Sequence, residues 1–183
     1  GYVMHSTEVL LNAISRLDYK VSYFQKGRIR ATEKYPNKPF TIEIIKQDSV
    51  EFNRGSYTVE AINSNKFSLF EGENGKKKEY QYGENLNLGN MTFKITSPIP
   101  PGVYTFNFNS KKDFLGRATN FQTSEAGRFT NIMMVTLEDQ NPAFAADMLN
   151  AIMKEYIIYD GKEKKRSARQ RVEFIDGLMN LVS

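Results

Sequence analysis

The stretch NIMMVTLEDQNPAFAADMLNAIMKEYIIY, from Asn131 to Tyr159, is the most informative part of this sequence for the fold. Its apolar start predicts a β-strand covered on both faces, formed by Ile132, Met133, Met134, Val135 and Leu137. Asn141-Pro142 then predicts a helix start, because Asn is a favourable N-cap and Pro fits the first helical position. Spacings of three and four predict one buried helix face, made of Ala145, Leu149, Ile152, Tyr156 and Tyr159.

The first segment of the chain predicts a second helix and a strand. Ser6 is a suitable cap for a helix over residues 6–17, whose apolar side chains fall on one face. Tyr19 to Phe24 predicts a strand, with Val21 and Tyr23 on the same side.

The middle of the chain has the pattern of an antiparallel β unit. Apolar and polar residues alternate strictly in four segments, residues 40–44, 57–61, 91–95 and 104–108. Turn-forming residues separate these segments, and Asn74-Gly75 predicts a tight hairpin joining Phe67–Phe70 to Glu79–Tyr82. We therefore expect a sandwich or barrel over residues 38–110.

Aromatic residues in this β unit allow two interpretations. Tyr80, Tyr82 and Tyr104 would be available to stack on a sugar if they were exposed. However, alternating aromatics on a strand are more often core, and the chain has no Trp.

The sequence contains no recognisable set of catalytic, metal-binding or cofactor-binding residues. There is no Cys, and His5 is the only histidine, so neither a thiolate nor a multi-histidine metal site is expected. The sequence has two acidic pairs, and neither is best explained as a catalytic acid–base pair. Glu71 and Glu73 fit a solvated hairpin turn, and Glu138 and Asp139 fit the positive end of the following helix dipole. Residues 114–128 predict an irregular loop without the pattern of a phosphate-binding loop. We therefore expect no enzymatic activity and no cofactor.

A basic run follows the long helix. Six of its residues carry positive charge: Lys162, Lys164, Lys165, Arg166, Arg169 and Arg171. The run is typical of a solvated helix face, and the alternative is a stripe facing an anionic polysaccharide or a neighbouring subunit. Nucleic acid is not an expected partner, because the net charge is only +4 and no nucleic-acid motif accompanies the run.

An apolar seam overlaps the end of this run and continues beyond it. Its residues recur at spacings of four and three: Ala168, Val172, Ile175, Met179 and Val182. Such spacing predicts a helix–helix packing seam. The seam is out of register with the buried face predicted for residues 145–159. Either Gly161 breaks the helix or one helix presents two faces to different neighbours.

Several motifs resemble a known family. The acidic loop, Asn-Pro and the residues Ala145-Ala146-Asp147, Leu149–Ile152 and Tyr156 resemble the Wzz-type chain-length determinants, also called polysaccharide co-polymerases. Residues 5–10 and 17–24 resemble the region after that family's first membrane span. Residues 26–30, 33–35 and 39–40 resemble its continuation in the Wzc-like branch fused to a cytoplasmic tyrosine kinase. The middle of the chain departs from the short Wzz pattern.

Together these patterns predict an α+β protein. A Wzz-like base domain of helices on a small mixed sheet is expected from residues 1–37 and 111–160. The β-rich insert occupies 38–110, and the start of a long helical arm occupies 161–183. No apolar run approaches the ~20 residues needed to cross a bilayer, so any membrane spans are expected outside the chain.

The resemblance implies the periplasmic region of a bacterial inner-membrane protein. Such proteins form rings, work with the polysaccharide polymerase and the growing lipid-linked chain, and set the length of capsular, exo- or O-antigen polysaccharide. The alternatives are a free-standing carbohydrate-binding or adhesin-like β domain and, least favoured, an enzyme.

Overall fold

The computed structural model describes residues 6–47, 55–71, 75–88, 91–125, 127 and 132–182. The helices in these ranges are α1 (Thr7–Ser15), α2 (Lys111–Ala118) and α3 (Pro142–Val182). The strands are β1 (Val21–Lys26), β2 (Ala31–Glu33), β3 (Ile42–Gln47), β4 (Ser56–Ala61), β5 (Lys66–Glu71), β6 (Lys78–Gln81), β7 (Leu86–Leu88), β8 (Met91–Ile95), β9 (Val103–Phe108), β10 (Phe121–Glu125) and β11 (Met133–Leu137). The chain is therefore α+β, as expected. All strand pairs in the described ranges are antiparallel, so the small sheet of the base is not mixed.

Two sheets share an aromatic core. One has the order β2-β1-β9-β4-β5-β6 and the other β3-β8-β7. Phe93 of β8 and Phe106 of β9 meet in this core, with ring centroids 5.8 Å apart. The apolar residues of the alternating strands face this core, as strict period-two patterning predicts. The β5–β6 hairpin is confirmed, with Phe67 opposite Tyr80, whereas Asn74 of the expected turn lies outside the described residues.

The first 37 residues contribute to both parts of the molecule. Strand β1 pairs with β9, with Tyr23 opposite Phe106, and β2 pairs with β1. Val21 and Tyr23 are buried in the aromatic core, whereas α1 packs with the other helices. Two strands from the segment assigned to the base domain thus extend the sheet of the β unit, because their apolar side faces its core.

The helices form a second core with the β10–β11 hairpin. Its buried residues come from α1, α2, β10 and α3: Leu10, Ala13, Ile14, Phe114, Ala118, Phe121, Phe144, Met148, Ala151 and Ile152. The expected α1 cap is confirmed, because the backbone N–H of Val9 donates to Ser6 Oγ at 3.3 Å. The base is therefore a helical unit with its own apolar centre.

The prediction of an irregular loop over residues 114–128 is wrong. Helix α2 begins after Ser110, whose backbone N–H donates to the Asp113 carboxylate at 2.7 Å. Phe114 and Ala118, four residues apart, both point into the helical core. Strand β10 then pairs with β11. Burial of these two side chains stabilises α2, although its polar and Gly-bearing composition does not favour a helix.

The prediction that the apolar run at residues 132–137 is covered on both faces is also wrong. Ile132, Met133 and Met134 are exposed at 64%, 48% and 51%, whereas Val135 and Leu137 are partly buried against the helical core. Strand β11 belongs to a two-stranded sheet with the helices on one side. An unbroken apolar run predicts two covering layers, and the described residues supply only one.

Candidate functional site: the helical arm and its root

The start of α3 is fixed by its predicted cap. Asn141 Oδ1 accepts hydrogen bonds from the backbone N–H groups of Ala143 and Phe144, at 3.1 and 3.2 Å. Pro142 occupies the first helical position, where a missing N–H leaves no donor unpaired. This local signal was sufficient to place the helix start.

Helix α3 then continues without a break for 41 residues. At ~1.5 Å per residue it is ~60 Å long. Gly161 lies within it, so the structure decides between the two alternatives: one helix presents two faces. A single glycine costs only ~1 kcal/mol in a helix interior, which a helix of this length tolerates. We call residues 161–182 of α3 the arm.

The basic residues of the arm are all exposed. This applies to Lys162, Lys164, Lys165, Arg166, Arg169 and Arg171. Two of them form pairs within the helix, Lys164 with Asp160 at 2.7 Å and Arg166 with Glu163 at 2.9 Å. The hydrogen bond to Asp160 raises the pKa of Lys164. Such exposed pairs contribute little to the stability of the helix.

The apolar seam of the arm is also exposed. Val172, Ile175 and Met179 are exposed at 58%, 54% and 66%, and Ala168 is exposed as well. Val182 ends the helix, and its side chain lies outside the described set. Phe174 and Leu178, exposed too, widen the seam. No residue in the described part of the chain covers this surface.

The exposed apolar stripe of α3 begins before Ala168, the first residue of the predicted seam. Met153 and Ile157 are exposed at 38% and 65%, although neighbouring Ile152 is fully buried. Positions 153, 157, 161, 164, 168, 172, 175 and 179 follow in steps of four and three. This eleven-residue period keeps a stripe on one side of a nearly straight helix, and Lys164 interrupts it once. The same spacing can be read in the sequence, but residues 145–159 also contain the buried face, so Met153 and Ile157 are not distinguished from it.

An ionic cluster lies at the root of α3. Arg117 of α2 donates to Glu33 at 2.9 and 3.2 Å and to Asp139 at 2.8 and 2.6 Å. Its guanidinium lies over the Phe144 ring, 3.7 Å from the centroid. Glu33 belongs to β2 and Asp139 precedes α3, so Arg117 links the β unit to the helical unit. We call Glu33, Arg117 and Asp139 the root cluster.

Partial burial and hydrogen bonding set the charges of the root cluster. Burial alone would raise the pKa of Asp139, but hydrogen bonds from Arg117 and from the backbone N–H of Asn141 lower it below the usual range. Burial alone would lower the pKa of Arg117. The hydrogen bonds to Asp139 and Glu33 together outweigh that effect, so the pKa of Arg117 lies above its usual value. Arg117 and Asp139 are therefore both charged at neutral pH, and the cluster acts as a fixed ionic joint.

Two further contacts attach α3 to the rest of the molecule. Tyr35 Oη donates to Asp147 Oδ2 at 2.7 Å. Burial, with a smaller contribution from this hydrogen bond, raises the pKa of Tyr35. Arg16, which directly follows α1, donates to Glu155 at 2.5 Å. The base-facing side of α3 is thus anchored up to Glu155, and the arm extends beyond this anchor.

Other candidate residues take structural roles. Tyr104 is buried, and Tyr80 and Tyr82 pack against the aromatic core, which favours the core interpretation over a sugar platform. Asp139 belongs to the root cluster, while His5 and Glu73 lie outside the described residues. Among the residues that the structure describes, no group of three or more His, Cys, Asp or Glu side chains is placed to hold a metal ion. Within the same residues, no helix is both long and apolar enough to cross a membrane.

Comparison with known proteins gives one partial likeness in sequence. No protein-family model matches the chain. A putative tyrosine-protein kinase EpsB from Ralstonia nicotianae is 38% identical over 56 residues, which is 31% of this chain and 8% of that protein. The chain therefore spans a small part of this relative. The match agrees loosely with the tyrosine-kinase branch of the resemblance, and with a place in the bacterial envelope.

Comparison with solved structures adds nothing to this. Two crystal forms of FlgL from Xanthomonas campestris are 16% identical to the chain and cover 76% of it, with 41% and 42% of their own chains covered. Their TM-scores are 0.30 and 0.29, too low to relate the folds.

Proposed function

We propose that this chain is the periplasmic region of an inner-membrane polysaccharide co-polymerase that regulates the chain length or export of capsular, exo- or O-antigen polysaccharide. The observation that carries the proposal is the partial match to a relative named as a putative tyrosine-protein kinase EpsB. The long arm of α3 beyond its anchored base also supports the proposal, since the Wzz-type family that the sequence resembles has such an arm.

In this proposal the domain organises other molecules and carries out no chemistry itself. The exposed seam of the arm contacts another helix, and copies of the chain assemble into a ring. The exposed basic residues contact the anionic lipid-linked polysaccharide or a neighbouring subunit. A polysaccharide polymerase is then a partner of the assembled ring, and any kinase activity belongs to another part of the intact protein.

The decisive experiment changes the arm in the organism that encodes the chain. Val172→Lys combined with Ile175→Lys should shift the size distribution of the exported polysaccharide, measured by gel electrophoresis, while the protein level stays unchanged. The control, Glu173→Lys, adds the same two units of positive charge at an exposed position on the helix face opposite the seam. An unchanged size distribution after deletion of the whole coding segment would rule out the proposal.

The alternative functions make different predictions for the purified chain. A free-standing carbohydrate-binding β domain should bind defined glycans with the arm residues mutated, and an enzyme should turn over ATP or a glycoside. We expect neither. ATP turnover that a point mutation within the chain abolishes would favour the enzyme.

A further inference from the structure

The tip of the β1–β2 hairpin is an exposed apolar residue between basic residues. Ile29 is 97% exposed, the highest value among the large apolar side chains that the structure describes. Lys26, Arg28 and Arg30 are exposed beside it, and no acidic residue occurs from Lys26 to Thr32. A single exposed apolar residue is ordinary, but one at the apex of a cationic hairpin forms a surface with two chemical parts.

The turn itself is tight. The N–H of Gly27 donates to the carbonyl oxygen of Arg30 at 3.0 Å. A Cβ at Gly27 would lie 2.7 Å from that oxygen, so a glycine is needed for this approach. The backbone therefore holds Arg28 and Ile29 at the apex.

Neighbouring loops extend this surface at the same end of the large sheet. Gln25 is opposite Tyr104 and Glu60 is opposite Val103, so the ends of β1 and β4 lie beside the start of β9. Ile62, just after β4, is 43% exposed, and Lys66 at the start of β5 is exposed too. Glu84 lies at this end as well and accepts a hydrogen bond from the N–H of Gln81. Ile62 and Lys66 thus add apolar and basic surface beside the tip, whereas Glu60 and Glu84 place two carboxylates further along the same sheet end.

We propose that this hairpin tip contacts the surface of a bilayer that contains anionic phospholipids. Ile29 enters the boundary between headgroups and acyl chains, and the three cations lie at the level of the phosphates, as in other interfacial anchors. A bilayer fits better than a second copy of this tip, because like charges would then face each other. It fits better than a polysaccharide, because an aliphatic side chain offers no flat ring for a sugar. This inference goes beyond the proposed function and can be true without it.

Vesicle sedimentation of the whole chain provides the first test. We expect binding to vesicles of phosphatidylglycerol and phosphatidylethanolamine, and weak binding to phosphatidylcholine vesicles. Arg28→Gln with Arg30→Gln should weaken the binding about 25-fold, because each cation near such a surface contributes about fivefold. Ile29→Ser should weaken it ~10-fold. The control Arg169→Gln with Arg171→Gln removes the same charge from the arm and should have a much smaller effect.

A fluorescent reporter tests the depth of contact. The chain has no Trp, so Ile29→Trp supplies a single indole at the apex. Its emission should shift to the blue on anionic vesicles and be quenched by brominated acyl chains. Ile157→Trp, on the exposed stripe of α3, is the matched control and should remain unquenched.

Three results would overturn the proposal. The first is no vesicle binding by the unchanged chain at low salt. The second is an equal loss of binding from the arm pair and the hairpin pair, which would assign the contact to the arm. The third is an unshifted emission from the Ile29→Trp variant on vesicles that do bind it.

Discussion

The guanidinium of Arg117 lies 3.7 Å from the centroid of the Phe144 ring. Its nitrogen atoms are occupied by Glu33 from the β unit and by Asp139 from the start of α3. Phe144 is fully buried in the helical core. The contact therefore couples the sheet, the short helix α2 and the root of the arm.

Replacing Arg117 with Gln should lower the free energy of unfolding by roughly 2–3 kcal/mol. The loss arises because Glu33 and Asp139, mostly shielded from water, would keep their charges without the cation that balances them. Urea denaturation followed by circular dichroism would measure it. Arg166→Gln, which removes an arginine from an exposed intrahelical pair, is the control and should change stability by less than ~0.5 kcal/mol. Equal effects of the two changes would show that the root cluster stabilises the fold no more than an exposed ion pair does.

The root cluster also predicts a pH dependence. The pKa of Asp139 is lowered in the folded state, so its charged form stabilises the fold above its unfolded pKa of 3.8. This contribution should be lost as the pH falls below that value and through the lower folded pKa. The difference in unfolding free energy between the unchanged chain and Asp139→Asn should thus be constant from about pH 5 to 7 and shrink towards about pH 3. A difference that grows on acidification would contradict this assignment.

Local signals in the sequence were enough to predict the ends of elements and the core of the β unit. Ser6 and Asn141 cap their helices through side-chain hydrogen bonds to N–H groups three or fewer residues away. Alternation in the strands, as at Tyr104 and Phe106, decided which side chains are buried. Each of these features depends on neighbours in sequence, which is why pattern alone finds it.

The remaining features depend on contacts between distant segments. Arg117 and Glu33 are separated by 84 residues, and no pattern within α2 indicates their pairing. The pairing of β1 with β9 is equally non-local. Met133 has the pattern of a core residue, yet it is exposed because, among the residues that the structure describes, no second layer covers β11. The α2 helix could have been found from Ser110 and Asp113, with the apolar Phe114 following them.

The aromatic core of the β unit should respond separately from the helical core. Phe106 is fully buried and contacts the rings of Phe40, Tyr57, Phe93 and Phe108. Phe106→Ala should cost on the order of 3–5 kcal/mol and speed hydrogen exchange in the β strands more than in residues 142–159. Phe144→Ala in the helical core should give the opposite ranking. Equal acceleration everywhere by both changes would indicate one undivided cooperative unit.

The exposed seam of the arm should drive self-association. Each aliphatic side chain of the seam gains roughly 1.5–3 kcal/mol only when another surface covers it, and the described residues provide none. We therefore expect the chain to form oligomers at micromolar concentration, and light scattering should detect them. Val172→Lys with Ile175→Lys should reduce these oligomers while leaving the base folded, as judged by an unchanged near-ultraviolet circular dichroism spectrum.

The matched control for this prediction is Glu173→Lys, which adds the same two units of positive charge at an exposed position on the helix face opposite the seam. If both variants lower the mass equally, general charge repulsion accounts for the effect and the seam is not the contact. A chain that is monomeric before and after the change, with the arm strongly protected from hydrogen exchange, would mean that the arm folds back on its own base. Since the stripe extends from Met153 through Met179, an added Ile157→Lys should weaken the oligomer further, because it removes the same surface closer to the root.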